Sequence, residues 1–265
     1  MDLGLTGARA IVTGGSRGLG RAAAASLLKE GARVALVARD ADRLAATVAD
    51  LRGAGSDVIG VVADTTDDVT VRAMVADVMA RFGGVDVLVN AAALPSFSSA
   101  PPPLAELNDA DVALDFDTKV MGYLRCSRAV APHMAAQGGG RIVNVSGLNV
   151  RRTGSISGTI RNVAVAALTA NLADELGPQG IGVTVVHPGL VETERTPALV
   201  AERAAATGQS EDAVRAALGA ATSLNRIVTS QEVADVITFL CSPRAAAITG
   251  DAVTVAAGNR GSVHY

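Results

Sequence analysis

Apolar residues fall into two alternating patterns along the chain. In the first, short runs are apolar throughout: "ARAIVTGG" (8–15), "RVALVAR" (33–39), "DVIGVVAD" (57–64), "VDVLVNAAA" (85–93), "GRIVNVSG" (140–147) and "GIGVTVVHPG" (180–189). Their shortness and Val/Ile content predict strands. In the second, apolar residues recur every three or four positions, which predicts helices over 20–31, 40–55, 67–83, 108–137 and 154–177. A tail repeats the theme, with a helix over 230–243 that opens on Ser and Gln and a last strand within 247–258. Strands without polar alternation belong in a parallel sheet covered on both faces. Strand–helix repetition with short links then predicts an α/β fold, a Rossmann-type doubly wound sheet of seven parallel strands with helices on both faces. No linker interrupts the pattern, so 1–265 is read as one domain. The Ala-rich, charged stretch 192–224 is read as a helical insertion that lids the substrate cleft.

Composition narrows the function. The chain has 265 residues, 49% hydrophobic and 18% charged, which suits one well-filled core. A net charge of −3 supplies no basic footprint for nucleic acid. Cys126 and Cys241 lie far apart and form neither a disulfide framework nor a metal site. There is no charged-then-apolar leader pattern and no apolar run of membrane-spanning length. The expectation is a cytoplasmic protein that acts on a small molecule, with no nucleic-acid, membrane or metal partner.

The loop between the first strand and first helix, "TGGSRGLG", runs from Thr13 to Gly20 through Ser16, Arg17 and Leu19. Gly14, Gly18 and Gly20 allow a tight turn and close backbone approach, and the following helix start offers free N–H groups to a pyrophosphate. The second strand ends on Arg39 rather than an acid that would bind a ribose 2′-hydroxyl. Arg39 and Arg17 converging on one pocket suit a 2′-phosphate, so NADP(H) is preferred over NAD(H).

"TGGSRGLG", "VVAD", "VDVLVNAAA", "GRIVNVS", "LADELGPQGIGVTVVHPG" and "EVADVITFLCSP…ITGDAVTV" together resemble the short-chain dehydrogenase/reductase family, in order and spacing over nearly the whole chain. The resemblance implies that Asp64 meets the adenine and that Asn90 stabilises the central strand beside the cofactor. Pro188, Gly189 and Thr193 would line the nicotinamide. It also implies a homodimer or homotetramer; the 158–176 helix, apolar nearly all round, and the 109–136 helix are the expected contact surfaces.

Carbonyl-reducing members of that family use a Ser, a Tyr, a Lys four residues later, and an Asn on the preceding long helix. Delivery of hydride leaves an alkoxide that needs a proton donor, and the ammonium lowers the phenol's pKa. Aligned on "LTANLADELGP", this chain has Gly158 at the Tyr place, Asn162 at the Lys place, Gly147 (after Ser146) at the Ser place and Lys119 at the Asn place. Ala91 and Ala93 also replace an Asn and a Gly. Tyr123 reads as a packing residue, and Tyr265 could reach only a neighbouring subunit's site.

Of 23 basic residues, 21 are Arg; Lys29 and Lys119 are the only lysines. Lys119 could donate a proton, support an oxyanion, act as a base or form a Schiff base, or cap carbonyls where its helix bends. Arg161 and Asn162, three and four residues after Gly158, face the same cleft. With Arg152 they favour an anionic or strongly polar ligand. Lys119, Arg161, Asn162 and Ser146 are therefore the candidate catalytic residues. Three functions stay open: an NADP(H)-dependent oxidoreductase with a rebuilt proton relay, a cofactor-binding sensor or non-catalytic subunit, and a lyase or isomerase using Lys119. The first is preferred because the whole nucleotide site is retained.

Overall fold

The computed structural model describes residues 1–53, 56–94, 102–258 and 260. The first half runs β1 (Arg9–Thr13), α1 (Gly18–Lys29), β2 (Arg33–Ala38), α2 (Ala41–Leu51), β3 (Val58–Val62), α3 (Asp68–Phe82) and β4 (Val87–Asn90). Next come α4 (Asp109–Phe116), α5 (Gly122–Ala136), β5 (Gly140–Val145), α6 (Ile156–Leu176) and β6 (Ile181–Pro188). The chain continues through β7 (Val191–Glu192), α7 (Thr196–Thr207), α8 (Glu211–Ala220), β8 (Val228–Thr229), α9 (Ser230–Cys241) and β9 (Ala252–Val255).

Seven strands form one parallel sheet in the order β3-β2-β1-β4-β5-β6-β9. The chain builds outward from β1 in one direction, returns, and builds outward again from β4. The carboxyl ends of β1 and β4 therefore border a crevice, the usual ligand position in such sheets. Alternate strand residues serve opposite cores. Ala10, Val12, Val34, Leu36, Val87 and Val89 pack with α1, α2 and α9. Ile11, Ala35, Val37, Leu88 and Ile142 pack with α3, α5 and α6. Both faces are covered, which is why the strand sequences carry no polar alternation.

Most helix starts carry a side chain that takes up a free N–H. Asp40, Asp67, Asn108, Ser155 and Ser210 each accept from a backbone N–H in the first turn. The last helix starts on a capping box of Thr229 and Glu232, so Thr229 does the capping and Ser230 is already helical. The 192–224 stretch holds α7 and α8, and the short parallel pair β7–β8 joins its two ends, Val191 opposite Val228.

The long helix expected over 108–137 is divided. A π-helical turn, Asp117–Met121, separates α4 from α5 and buries Thr118, Lys119 and Val120. The wider turn admits a residue beyond the 3.6-residue period, so periodicity alone does not register it. Gly122 follows where a Cβ would stand 3.0 Å from Thr65 Oγ1, so the helix and the loop after β3 approach closely there.

Candidate functional site

The glycine loop fits only glycine at its tight points. Gly14 has φ +66°, and a Cβ there would lie 2.8 Å from the Ala91 carbonyl oxygen. At Gly20 a Cβ would fall 2.4 Å from the oxygen of Gly14. Gly18 has φ +53°, and a Cβ there would meet nothing nearer than Glu194 Oε1 at 4.0 Å. Thr13 Oγ1 accepts from the N–H groups of Ala91 (3.1 Å) and Ala92 (3.3 Å), and Thr47 Oγ1 donates to Ser16 O (3.0 Å). The loop is thus held from both sides, with Leu19 against the core. Helix α1 has neither a side-chain cap at Arg17 nor an acid in its first turn. Its first N–H groups face a cleared cradle, which fits the pyrophosphate of a dinucleotide.

Positive charge gathers at this end of the sheet. Burial, then the charges of Arg195 and Arg43, hold Arg17 below its ordinary pKa, with Glu194 opposing. Arg39 pairs with Asp64 at 3.7 Å. Burial raises the Asp64 pKa, but the N–H and hydroxyl of Thr66 (3.0 and 2.9 Å) and Arg39 outweigh it and hold the carboxyl below the usual range. Beyond β6, Gly189 N donates to Val255 O (3.0 Å) and Thr193 N to Thr196 Oγ1 (2.9 Å). The chain then returns to the glycine loop, with Glu194 Oε1 4.0 Å from the Cβ position of Gly18. Pro188 ends β6 in register with Val255 of β9.

Asn90 ties the strands beneath the crevice. Its amide donates to Asn144 Oδ1 (2.9 Å) and Ser127 Oγ (3.3 Å), and Asn144 donates onward to Thr169 Oγ1 (2.9 Å). All four side chains are buried.

The second cluster lies between the π-helical turn and the start of α6. Lys119 Nζ donates to Ser146 O (2.9 Å) and Asn162 Oδ1 (3.0 Å), and Ser146 Oγ donates to Asn162 O (3.2 Å). Lys119 is 4% exposed. Burial, then the charge of Arg161, lowers its pKa to about 7 against the pull of Asp115. Asn162 Nδ2 lies 3.0 Å from the Cβ position of Gly147, so the Asn162 amide packs closely over that glycine. Arg161 forms a buried ion pair with Asp115 that ties α6 to α4. Arg151 and Arg152 are exposed, and Arg151 donates to Thr254 Oγ1 (3.3 Å).

Gly158 is explained by local capping. Its N–H donates to Ser155 Oγ (3.1 Å), and a Cβ on it would stand 2.7 Å from that oxygen. The Ser155 cap thus occupies the space beside Gly158. Tyr123 donates to Val145 O (2.8 Å) inside the core, as a packing residue does. His187 sits on the α6 side of β6, 1% exposed, with Nδ1 unpartnered among the described residues. Burial, then Arg151 and Lys119, push its pKa down to about 4. Tyr265 lies outside the described residues.

Four residues at these clusters escape sequence reasoning. Arg43 stands in the first turn of α2, where a side chain leans back toward the end of β2, a usable signal. Arg195, Glu194 and Asp115 have no motif around them; only the folded chain brings them to the glycine loop and to Arg161. Among the described residues there is no group of three or more His, Cys, Asp or Glu able to hold a metal, and no helix long and apolar enough to cross a membrane.

Sheet order, glycine loop and crevice define a nucleotide-binding dehydrogenase scaffold, and the comparisons agree. The family model "short chain dehydrogenase" matches residues 8–204. The chain belongs to the short-chain dehydrogenase/reductase family of nicotinamide-dependent oxidoreductases. It is 36% identical over 250 residues to the short-chain reductase protein NovJ of Streptomyces niveus, covering 94% of this chain and 92% of that protein. Sorbitol dehydrogenase of Cereibacter sphaeroides is 32% identical over 258 residues, covering 96% and 98%. The crystal structure of L-sorbose reductase from Gluconobacter frateurii, complexed with NADPH and L-sorbose, superposes with a TM-score of 0.92 at 30% identity over 99% of this chain and all of that one (100%).

Proposed function

We propose that this chain is an NADP(H)-dependent oxidoreductase that interconverts a small polar or anionic carbonyl compound and its alcohol, with Lys119 in place of the family's tyrosine. The observation that carries the reading is the buried Lys119 Nζ, held by Ser146 O and Asn162 Oδ1, with a pKa lowered to about 7. An amine titrating there has a proton to give and room to take one back at neutral pH. Two of its three N–H donors are matched among the described residues, which leaves one for a substrate oxygen. NADPH would supply the hydride. Arg17 and Arg39 hold its phosphate end, Asp64 its adenine, and Pro188, Gly189 and Thr193 its nicotinamide. Asn162 and Ser146 orient Lys119, and Arg161 keeps its pKa low. The L-sorbose bound to one structural relative supports a polyhydroxylated substrate. Helices α7 and α8 act as the lid of a single nucleotide-binding domain.

The alternative is a cofactor-binding sensor or non-catalytic subunit. It draws support from Gly158, which stands at the family's tyrosine place with the Ser155 cap occupying the space beside it. NADPH consumption over a panel of ketoses, keto acids, imines and quinones separates the two. Turnover in the wild type that is lost in Lys119→Met supports the oxidoreductase; NADPH binding with no turnover on the panel supports the subunit. Failure to bind NADPH at micromolar concentration sinks both.

A homodimer or homotetramer through the 109–136 and 158–176 helices completes the proposal. Leu114 on α4 and Ile156, Ile160 and Val163 on α6 expose 50, 46, 51 and 46% of their surface.

A further inference from the structure

Lys119 is buried, and the two atoms that hold its Nζ, Ser146 O and Asn162 Oδ1, are oxygens with no proton to give. An amine that protonates a substrate there must take its next proton from another group. Ser146 Oγ is committed to Asn162 O (3.2 Å). The register of the sheet supplies a further candidate. Val145 of β5 stands opposite Val186 of β6, and Ser146 N donates to Val186 O (2.8 Å), so the pairing continues with Ser146 beside His187. On the next strand, Thr254 of β9 stands opposite His187. Asn144 and Val185, two residues earlier on β5 and β6, face α6. The two-residue period of a strand turns Ser146 and His187 the same way.

A polar row therefore crosses the end of the sheet. It starts at buried Lys119 on Ser146, passes His187 and ends at Thr254, whose Oγ1 accepts from the exposed Arg151 (3.3 Å). The charges of Arg151 and Lys119 both reach the His187 ring. Nδ1 of that ring is sealed from solvent and unmatched among the described residues, whereas Nε2 is not sealed in this way. Imidazole can take a proton on one nitrogen while releasing one from the other. Resting on the reading of Lys119 as proton donor, we infer that His187 is a positioning residue that relays a proton from the Arg151 edge of the sheet back to Lys119 after each turnover. In reduction, hydride reaches the carbonyl carbon, the C=O π pair moves to oxygen, and that oxygen takes a proton from Lys119 Nζ. His187 Nδ1 then gives its proton to the neutral amine as Nε2 takes one from solvent. The ring stays neutral, as its lowered pKa requires, and a flip about Cβ–Cγ resets the tautomer.

The chain holds only two lysines, Lys29 and Lys119, which makes the test direct. In protein carrying isotope-labelled lysine, NMR reads the exchange of the Lys119 Nζ protons with water, with no substrate or NADPH added. Exposed Lys29 is the internal reference. His187→Gln and His187→Leu should each slow the Lys119 exchange by at least about tenfold, the lower reach of a positioned acid–base group. A structural role alone would loosen the site and speed the exchange, and circular dichroism verifies that the variants fold. In turnover, both variants should lower kcat by at least about tenfold and leave KM within about twofold. Added imidazole should restore kcat in His187→Ala. Thr118→Val, which removes another buried unmatched polar atom beside Lys119, should change neither exchange nor kcat. Exchange that is unchanged or faster in both His187→Gln and His187→Leu overturns the relay, as does slowing seen in Thr118→Val alone. The reading of Lys119 as donor then stands wherever Lys119→Met loses turnover. Turnover that survives Lys119→Met overturns both.

Discussion

Asn162 Oδ1 accepts a hydrogen bond from Lys119 Nζ at 3.0 Å, across the gap between α6 and the π-helical turn. The acceptor is neutral, so it fixes the ammonium in place without paying for its charge. Burial and Arg161 are therefore free to depress the lysine pKa to about 7. Asp115, which acts in the other direction, is engaged with Arg161.

Asn162→Asp exchanges that neutral acceptor for a carboxylate at the same distance. An opposite charge within hydrogen-bond reach favours the ammonium and raises its pKa by about 1–3 units. The pH profile of kcat/KM on an accepted substrate should shift its limb near pH 7 upward by at least about one unit. An unshifted limb would assign that titration to another group.

Lys119→Met should change stability in a pH-dependent way. The folded pKa lies below the unfolded value near 10.5, so burial of the ammonium is penalised in full below pH 7. Between pH 7 and about 10.5 the unfolded chain binds a proton the folded chain has released, so wild-type stability rises with pH. The variant lacks this titration, and it also leaves Ser146 O and Asn162 Oδ1 without their donor, at about 1–3 kcal/mol. Relative to wild type it should be most stable near pH 6.5 and lose about 1.4 kcal/mol per pH unit at the steepest. Urea unfolding at pH 6.5, 8 and 9.5 measures this; a difference that is flat with pH contradicts the lowered pKa.

The sequence exposed the scaffold more fully than the chemistry. Strands such as Val34–Val37 bury both faces, and that burial is written locally as an unbroken apolar run. The glycine loop is legible for a similar reason, since Gly14 and Gly20 answer to contacts made within the loop or just across it at Ala91. The π-helical turn was not legible, because one added residue hides inside a helical period. Nor was the Arg161–Asp115 pair, whose residues lie 46 positions apart on two helices. Gly158 looked like a loss in the sequence; in the fold it is the third helical residue under the Ser155 cap.

His187 gives a separate acid-side prediction. Its pKa is pushed down to about 4, so the imidazole stays neutral in the fold while the unfolded chain protonates near 6.5. Stability conferred by the neutral form is complete above pH 6.5 and is lost as pH falls from 6.5 toward 4. His187→Gln removes the titration and should flatten this limb of a urea-unfolding series at pH 4.5, 5.5 and 7. A variant that keeps the wild-type slope would place the acid sensitivity on the carboxylates instead.

Helix α6 supplies the test of assembly. Ile156, Ile160 and Val163 recur at helical spacing and lie about half exposed, while Val165, Thr169 and Leu172 on the other side of the same helix are buried. Leu114 of α4 is exposed as well, and α4 is tied to α6 by the Arg161–Asp115 pair. Covering such a stripe removes apolar surface from water at about 25 cal/mol per Å², whereas a charge placed within it must be desolvated on assembly. Ile160→Arg should therefore convert the oligomer into a smaller species in sedimentation velocity, and Val163→Glu should do the same. The positions are exposed in the single chain, so the thermal unfolding of the separated subunit need not suffer from the substitution itself. An exposed substitution on the other face of the sheet, Ala49→Glu on α2, serves as the control and should leave the sedimentation coefficient unchanged. If Ile160→Arg and Val163→Glu both sediment as the wild type does, the subunits do not meet through this face.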